Sequence, residues 1–191
     1  MIELTVEEIL GRRVVIVGER GAGKTRLTAR LLEQLASRLG PENITVIDMA
    51  PTTVPGAARL SAYTSIVRRL RYLAPPTVRA PRLEGRTASE VLRLAEANRV
   101  VIEPLLDTFL SDPTPALVVN DLTIYLHAGS LEKLLSCISS AQTFLANAYR
   151  GVTLADDKGS GVTERERKLL EEVLRRVDMV VALRPLGNEP G

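Results

Sequence analysis

Eight consecutive residues, Gly18-Glu19-Arg20-Gly21-Ala22-Gly23-Lys24-Thr25, constrain this chain more than any others. They follow Arg13-Val14-Val15-Ile16-Val17, a β-branched run with the length and composition of a strand buried on both faces. They precede leucines at 27, 31, 32, 35 and 39, whose spacing predicts a helix over 24–39 that Gly40-Pro41 stops. Glycines at 18, 21 and 23 let the backbone wrap inward with its N–H groups converging, and a helix N-terminus adds partial positive charge. That is a cradle for an anion. The eight residues match G-x-x-x-x-G-K-[ST] at every fixed position, in the strand-to-helix context that the chemistry requires. A phosphate-binding loop follows, in which Lys24 contacts the β and γ phosphates of a nucleoside triphosphate and the Thr25 hydroxyl ligates Mg²⁺. The binding set is Gly18, Glu19, Arg20, Gly21, Ala22, Gly23, Lys24, Thr25 and Arg26, with the Glu19 and Arg20 side chains turned to solvent.

The remainder reads as alternating strands and helices. Ile44 to Ile47 is a second apolar run, closed by Asp48. Leu60, Tyr63, Val67, Leu70 and Ala74 predict one face of a helix that Pro75 and Pro76 end. Thr87-Ala88-Ser89-Glu90 has the form of a capping box and predicts a helix to about residue 99, with Pro104 interrupting a second apolar stretch that ends near Leu110. Further on come a strand over 116–120, a helix over 131–149, a fourth strand over 151–155, a helix over 163–177 and a last strand over 179–183. The polar loop 156–161 and the tail after Arg184 read as flexible. Strands separated by helices need crossover connections, so the predicted fold is α/β, a three-layer α/β/α sandwich with a mainly parallel sheet around a P-loop core.

At 191 residues the chain fits one nucleotide-binding domain spanning 1–191, with its core at about 13–184. Its 45% hydrophobic and 25% charged residues exclude a disordered or fibrous class. No apolar run approaches the roughly 20 residues that span a bilayer, and Met1 to Glu8 carries acids where a signal peptide carries bases. The expectation is no membrane insertion and a cytoplasmic location. Cys137, the only cysteine, sits among apolar residues as a buried core thiol.

A P-loop needs a magnesium partner at the end of a neighbouring apolar run, and Ala116-Leu117-Val118-Val119-Asn120-Asp121 supplies one. Asp121 is read as holding a water of the Mg²⁺ shell, with a plain strand-ending aspartate as the alternative.

On these residues the chain resembles the RecA-like ATPases, the KaiC-type branch included. Beyond the P-loop, the likeness lies in Leu117 to Leu126 and in the element order from 13 to 184. The resemblance implies ATP or another nucleoside triphosphate, Mg²⁺, and an assembling oligomer. It also implies a water-polarising glutamate two residues beyond the acid at the end of the second strand. Asp48 fits that acid, but the glutamate position is Ala50. A polar residue would end the fourth strand, for which the chain offers Asp156 and Asp157. Thr45-Val46-Ile47-Asp48 also resembles the second strand of the ParA and signal-recognition type of P-loop proteins. Both likenesses place Asp48 beside the γ-phosphate as a general base or Mg²⁺ contact, and a strand-capping aspartate remains the other reading. The catalytic set is Lys24, Asp48 and Asp121.

Arg59, Arg68, Arg69, Arg71, Arg79, Arg82 and Arg86 face Glu84 alone in the stretch 56–86, against a net charge of +2 for the chain. Three readings stand: a solvated face paired with Glu103, Asp107 and Asp112, a surface for nucleic-acid phosphates or a protein, or an arginine finger across a subunit boundary. The lone His127, just past Asp121, reads as a surface or helix-capping residue. The function expected is a slow, Mg²⁺-dependent RecA-like ATPase coupled to a nucleic-acid or protein partner through Arg59 to Arg86. The alternatives are a nucleotide-binding regulatory or scaffold protein with little hydrolysis, and a P-loop kinase.

Overall fold

A computed structural model describes residues 4–184, and the tail read as loose lies outside them. Six strands form one parallel sheet: β1 (Arg13–Gly18), β2 (Ile44–Asp48), β3 (Arg71–Leu73), β4 (Ala116–Asn120), β5 (Thr143–Tyr149) and β6 (Met179–Leu183), in the order β3-β2-β4-β5-β1-β6. Helices cover both faces, which gives the three-layer α/β/α architecture. Alternate strand residues supply the two cores. On one face Val14, Ile16, Val46, Val118 and Leu145 pack under α1 (Val6–Ile9) and α2 (Lys24–Leu39). On the other, Val15, Val17, Ile47, Val119 and Ala146 pack under α4 (Ala88–Ser111), α5 (Thr123–Leu126), α6 (Leu131–Ser140) and α7 (Val162–Leu174). A one-turn helix α3 (Pro81–Glu84) precedes α4. Cys137 is buried in the second core.

The chain leaves β1 through α2 on one face and leaves β5 through α7 on the other. Neighbouring strands whose connections diverge in this way leave a crevice at their carboxyl ends, the place where open α/β sheets bind ligands. Gly18 pairs with Tyr149 at that end.

Five local expectations need correction. Residues 60–74 do not form a helix: 3₁₀ turns at Leu60–Ala62 and Ile66–Arg69 lead into β3, which takes the open edge of β2. Leu60 and Val67 are buried as expected, but Tyr63 is 44% exposed, because the chain turns away where a helix would have carried it inward. The capping threonine does start α4, with the Glu90 N–H donating to Thr87 Oγ1 at 3.2 Å, but the helix runs on through Pro104 to Ser111. Pro104 removes the donor for the Val100 carbonyl, and Val100 lies on the solvent side, where water takes that role at low cost.

The predicted helix 131–149 ends at Ser140, and its second half is β5, paired on both sides by β4 and β1. The expected strand over 151–155 is a turn-rich loop. Leu145-Ala146-Asn147-Ala148 has helix-forming composition, and the slot between two buried strands overrides it. The loop 156–161 is tied rather than free: Asp157 accepts the Gly159 N–H at 3.0 Å and the Thr163 N–H at 3.1 Å, capping α7.

Candidate functional site

The phosphate loop has the backbone its glycines allow. Gly21 and Gly23 take φ values of 77° and 86°, with open space where a Cβ would stand. Gly18 is needed for a different reason, since a Cβ there would meet the Leu183 carbonyl oxygen at 2.7 Å. Gly23 is the N-cap of α2, so the first N–H groups of that helix face the loop. Lys24 Nζ donates to the carbonyls of Gly18 at 3.0 Å and Glu19 at 2.7 Å, folded back onto the loop it would leave to reach a phosphate. Burial lowers the lysine pKa, and the charges of Asp121 and Glu19 oppose that shift.

Glu19 does not turn to solvent. Its carboxylate accepts the Val152 N–H at 2.8 Å and the Thr153 hydroxyl at 2.5 Å, tying the loop after β5 to the phosphate loop. Its burial alone would raise the pKa, but these bonds and the Arg20 N–H outweigh that and hold it at about 2. Arg20 is exposed, as expected, and donates to the Pro55 carbonyl at 2.7 Å. Arg26 is exposed.

Lys24, Thr25 and Asp121 line one cleft, which measures about 830 Å³ with the open solvent at its mouth included. Asp121 follows β4 with a φ of 58°, a left-handed conformation uncommon outside glycine. Its N–H donates to Asn147 Oδ1 at 2.9 Å, which fixes that turn. Burial pushes its carboxyl up to about 6, Lys24 pulls it down, and the charges of Glu166 and Asp48 add to the rise.

Asn147, on β5, went unread because its segment looked helical. Its side-chain amide donates to Thr28 Oγ1 at 2.9 Å and to Asn120 Oδ1 at 2.8 Å. Asn120 in turn donates to Asp48 Oδ1 at 2.8 Å. A buried polar chain therefore crosses the carboxyl ends of the strands from α2 to β2. Asn147 lies within β5 opposite Ile16 of β1, whereas Asp156 and Asp157 lie in the loop beyond that strand, and Asp156 is exposed.

Asp48 terminates that chain and is fully buried. Its Oδ1 accepts Asn120 Nδ2 and the Ala50 N–H (3.2 Å), and its Oδ2 accepts the Leu60 N–H and the Tyr72 hydroxyl, both at 2.7 Å. Four donors occupy the carboxylate, and the cleft lining does not include it. Through these bonds Asp48 pins β3 and the segment after β2 to the sheet. Ala50 lines the cleft, so no acid stands there two residues beyond Asp48.

The arginine stretch disperses. Arg71 pairs with Asp112 at 3.1 Å and Arg79 with Glu84 at 2.8 Å, while Arg99 and Lys133 take Glu103. Arg68, Arg69 and Arg86 stay exposed. Arg82 is only 7% exposed and grips Glu166 of α7 with Nη2, at 2.8 and 3.1 Å to the two oxygens. His127 is a wall of the cleft rather than a surface residue, 3% exposed, with Nε2 at 2.5 Å from Glu166 Oε2. Arg82 also lies over the Tyr149 ring, 5.4 Å from its centroid. Sequence reasoning missed Glu166 because its partners stand 39 and 84 positions away.

No protein-family model matches the chain, and no curated protein matches it in sequence. Among solved structures, the flagellar accessory protein FlaH from Methanocaldococcus jannaschii is similar, with a TM-score of 0.50 and 11% identity over 90% of this chain and 70% of that one. At that identity the likeness speaks for the fold alone.

Proposed function

We propose that the chain is a Mg²⁺-dependent ATP-binding P-loop protein, one nucleotide-binding domain that works in the cytoplasm as a slow RecA-like ATPase. The observation that carries this reading is the convergence of Lys24, Thr25 and Asp121 on one cleft below the N-terminus of α2. The open space above Gly21 and Gly23 is what a phosphate-cradling backbone requires. Thr25 and Asp121 would hold Mg²⁺, which neutralises charge on the β and γ phosphates, and Lys24 would leave the loop carbonyls to contact the same phosphates. Slow turnover follows from Ala50 in the glutamate position and from the saturated carboxylate of Asp48. Those same two facts favour, as the second reading, a nucleotide-binding regulatory or scaffold protein.

Within Arg59 to Arg86 the partner surface we favour centres on exposed Arg68, which lines a groove with Tyr63, Ser61 and Tyr72, and on its exposed chain neighbour Arg69. Exposed arginines next to an aromatic ring suit the phosphates and bases of a single strand. No helix among the described residues is long and apolar enough to cross a membrane.

Calorimetric titration with ATP and GTP, with and without Mg²⁺, tests the site. Steady-state turnover with and without single-stranded polynucleotide then separates the two readings. Absence of binding to either nucleotide in the presence of Mg²⁺ defeats both. Turnover that Arg68→Glu with Arg69→Glu leaves equally responsive to polynucleotide defeats the partner assignment.

A further inference from the structure

We propose that His127 is the proton acceptor for the water that attacks the terminal phosphate, held in place by Glu166 and Arg82. The inference rests on the ATP-hydrolysing reading above. The other candidate bases in and around the cleft are engaged or absent. Asp48 is saturated, position 50 is alanine, and Asp121 stands where the metal shell belongs. Both oxygens of Glu166 are engaged by Arg82, and Oε2 by His127 as well. The Tyr149 hydroxyl accepts the Leu154 N–H. His127 Nδ1 is buried and has no hydrogen-bond partner among the described residues.

A buried polar atom without a partner costs free energy, and such atoms concentrate where a ligand or water supplies the missing bond. The partner of Nε2 decides which kind of atom Nδ1 is. A carboxylate accepts and cannot donate, so in the neutral ring Nε2 carries the proton toward Glu166 and Nδ1 presents a lone pair. A base oriented by a carboxylate on its far nitrogen is the general arrangement for removing a proton from an oxygen nucleophile. Arg82 offsets the charge of Glu166 in the resting state, and its Nη1 is further held by Thr163 Oγ1 at 3.1 Å.

Placement agrees with the role. His127 and Glu166 line the same cleft as Lys24, Thr25 and Asp121, and the charge of Glu166 acts on Asp121. Nδ1 is buried in the free protein, so nucleotide binding must open the path by which the attacking water meets it, directly or through one intervening water. The water oxygen bonds to the γ-phosphorus as the bond from phosphorus to the bridging oxygen breaks. The bridging oxygen leaves with ADP, and one water proton passes to Nδ1. The resulting imidazolium keeps its Nε2–H on Glu166 and returns the proton to solvent as phosphate departs.

Because His127 is the only histidine, ¹⁵N-histidine labelling reports this one ring. The free protein should show the Nε2–H tautomer, and an Nδ1–H tautomer overturns the proposal. Binding of MgADP with aluminium fluoride should move the Nδ1 resonance as a bound water donates to it, and an unmoved resonance overturns the proposal too. His127→Gln should lower kcat by about 10²–10⁴-fold with the Kd for MgATP unchanged. Glu166→Gln, whose amide can donate to Nε2, should reverse the tautomer and lower kcat with it. Normal turnover in His127→Gln overturns the base assignment alone, whereas wild-type protein that fails to bind MgATP overturns the proposed function and this inference together. The two resonance measurements need only wild-type protein, so a variant that fails to fold leaves the proposal exposed to refutation.

Discussion

Replacing Asp48 should destabilise the fold more than it slows any chemistry. The carboxylate accepts four hydrogen bonds in a fully buried position, from Asn120, Ala50, Leu60 and Tyr72. Hydrogen bonds to a charged group contribute about 1.5–3 kcal/mol each, but four on one carboxylate are not additive, and removing the acid also relieves its own burial. A net loss of about 3–5 kcal/mol for Asp48→Ala is the expectation, in the range reached when a buried network loses its centre. For a chain of this size that lowers Tm by roughly 6–20 °C.

Asp48→Asn should be milder, at about 1–3 kcal/mol, because its oxygen can serve Asn120 and Ala50 while its amide donates to the Tyr72 hydroxyl. Only the Leu60 N–H then lacks a partner. Urea denaturation of the three proteins, read by circular dichroism, orders them. A cost below about 1 kcal/mol for Asp48→Ala would refute the structural assignment. Unchanged stability combined with lost turnover would return Asp48 to the role of a base.

Lys24→Ala should abolish most MgATP affinity in calorimetry while leaving the fold intact, since the lysine bonds only to carbonyls of its own loop; equal affinity would remove the phosphate site. At Asp121, a carboxyl pushed up to about 6 holds its proton more tightly folded than unfolded. Its contribution to stability is therefore greatest below about pH 4 and is lost as pH rises to about 6, so urea midpoints across that window should fall less steeply in Asp121→Asn than in wild type. The same substitution should weaken the Mg²⁺-dependent part of nucleotide affinity more than the Mg²⁺-free part, and an equal loss with and without metal would mark a purely structural acid. Glu19→Ala should speed amide hydrogen exchange at Val152 and Thr153, whose N–H groups lose their acceptor; unchanged exchange would mean that the loop after β5 is held by something else.

The strand–glycine turn–helix over 13–39 was legible in the amino-acid sequence because every group it needs is contiguous: a strand to end, glycines to turn and a helix to begin. β1, β2, β4 and β6 were legible for a related reason, since short β-branched runs between breakers suit only a buried strand. From those elements alone the parallel α/β/α fold follows. The sheet order does not, because pairing is a contact between segments far apart in the chain. β5 shows the limit most plainly. Its Leu-Ala-Asn-Ala composition favours a helix, and only the slot between β4 and β1, which pairs both of its edges, makes it a strand. Residues 60–74 failed likewise, their helical periodicity giving way to the unfilled edge of β2.

The acids divide in the same manner. Asp48 and Asp121 each end an apolar strand before a loop and look alike in sequence. Tertiary structure gives one of them four buried donors and gives the other a cleft facing Lys24. Arg82, His127 and Glu166 carry no local signal at all, because a charge reads as solvated until a partner removed by tens of residues takes it out of water. Local covalent order therefore determined the glycine turn between β1 and α2 and the fold class, while the pairing of buried polar groups was decided only when the helices closed over the sheet.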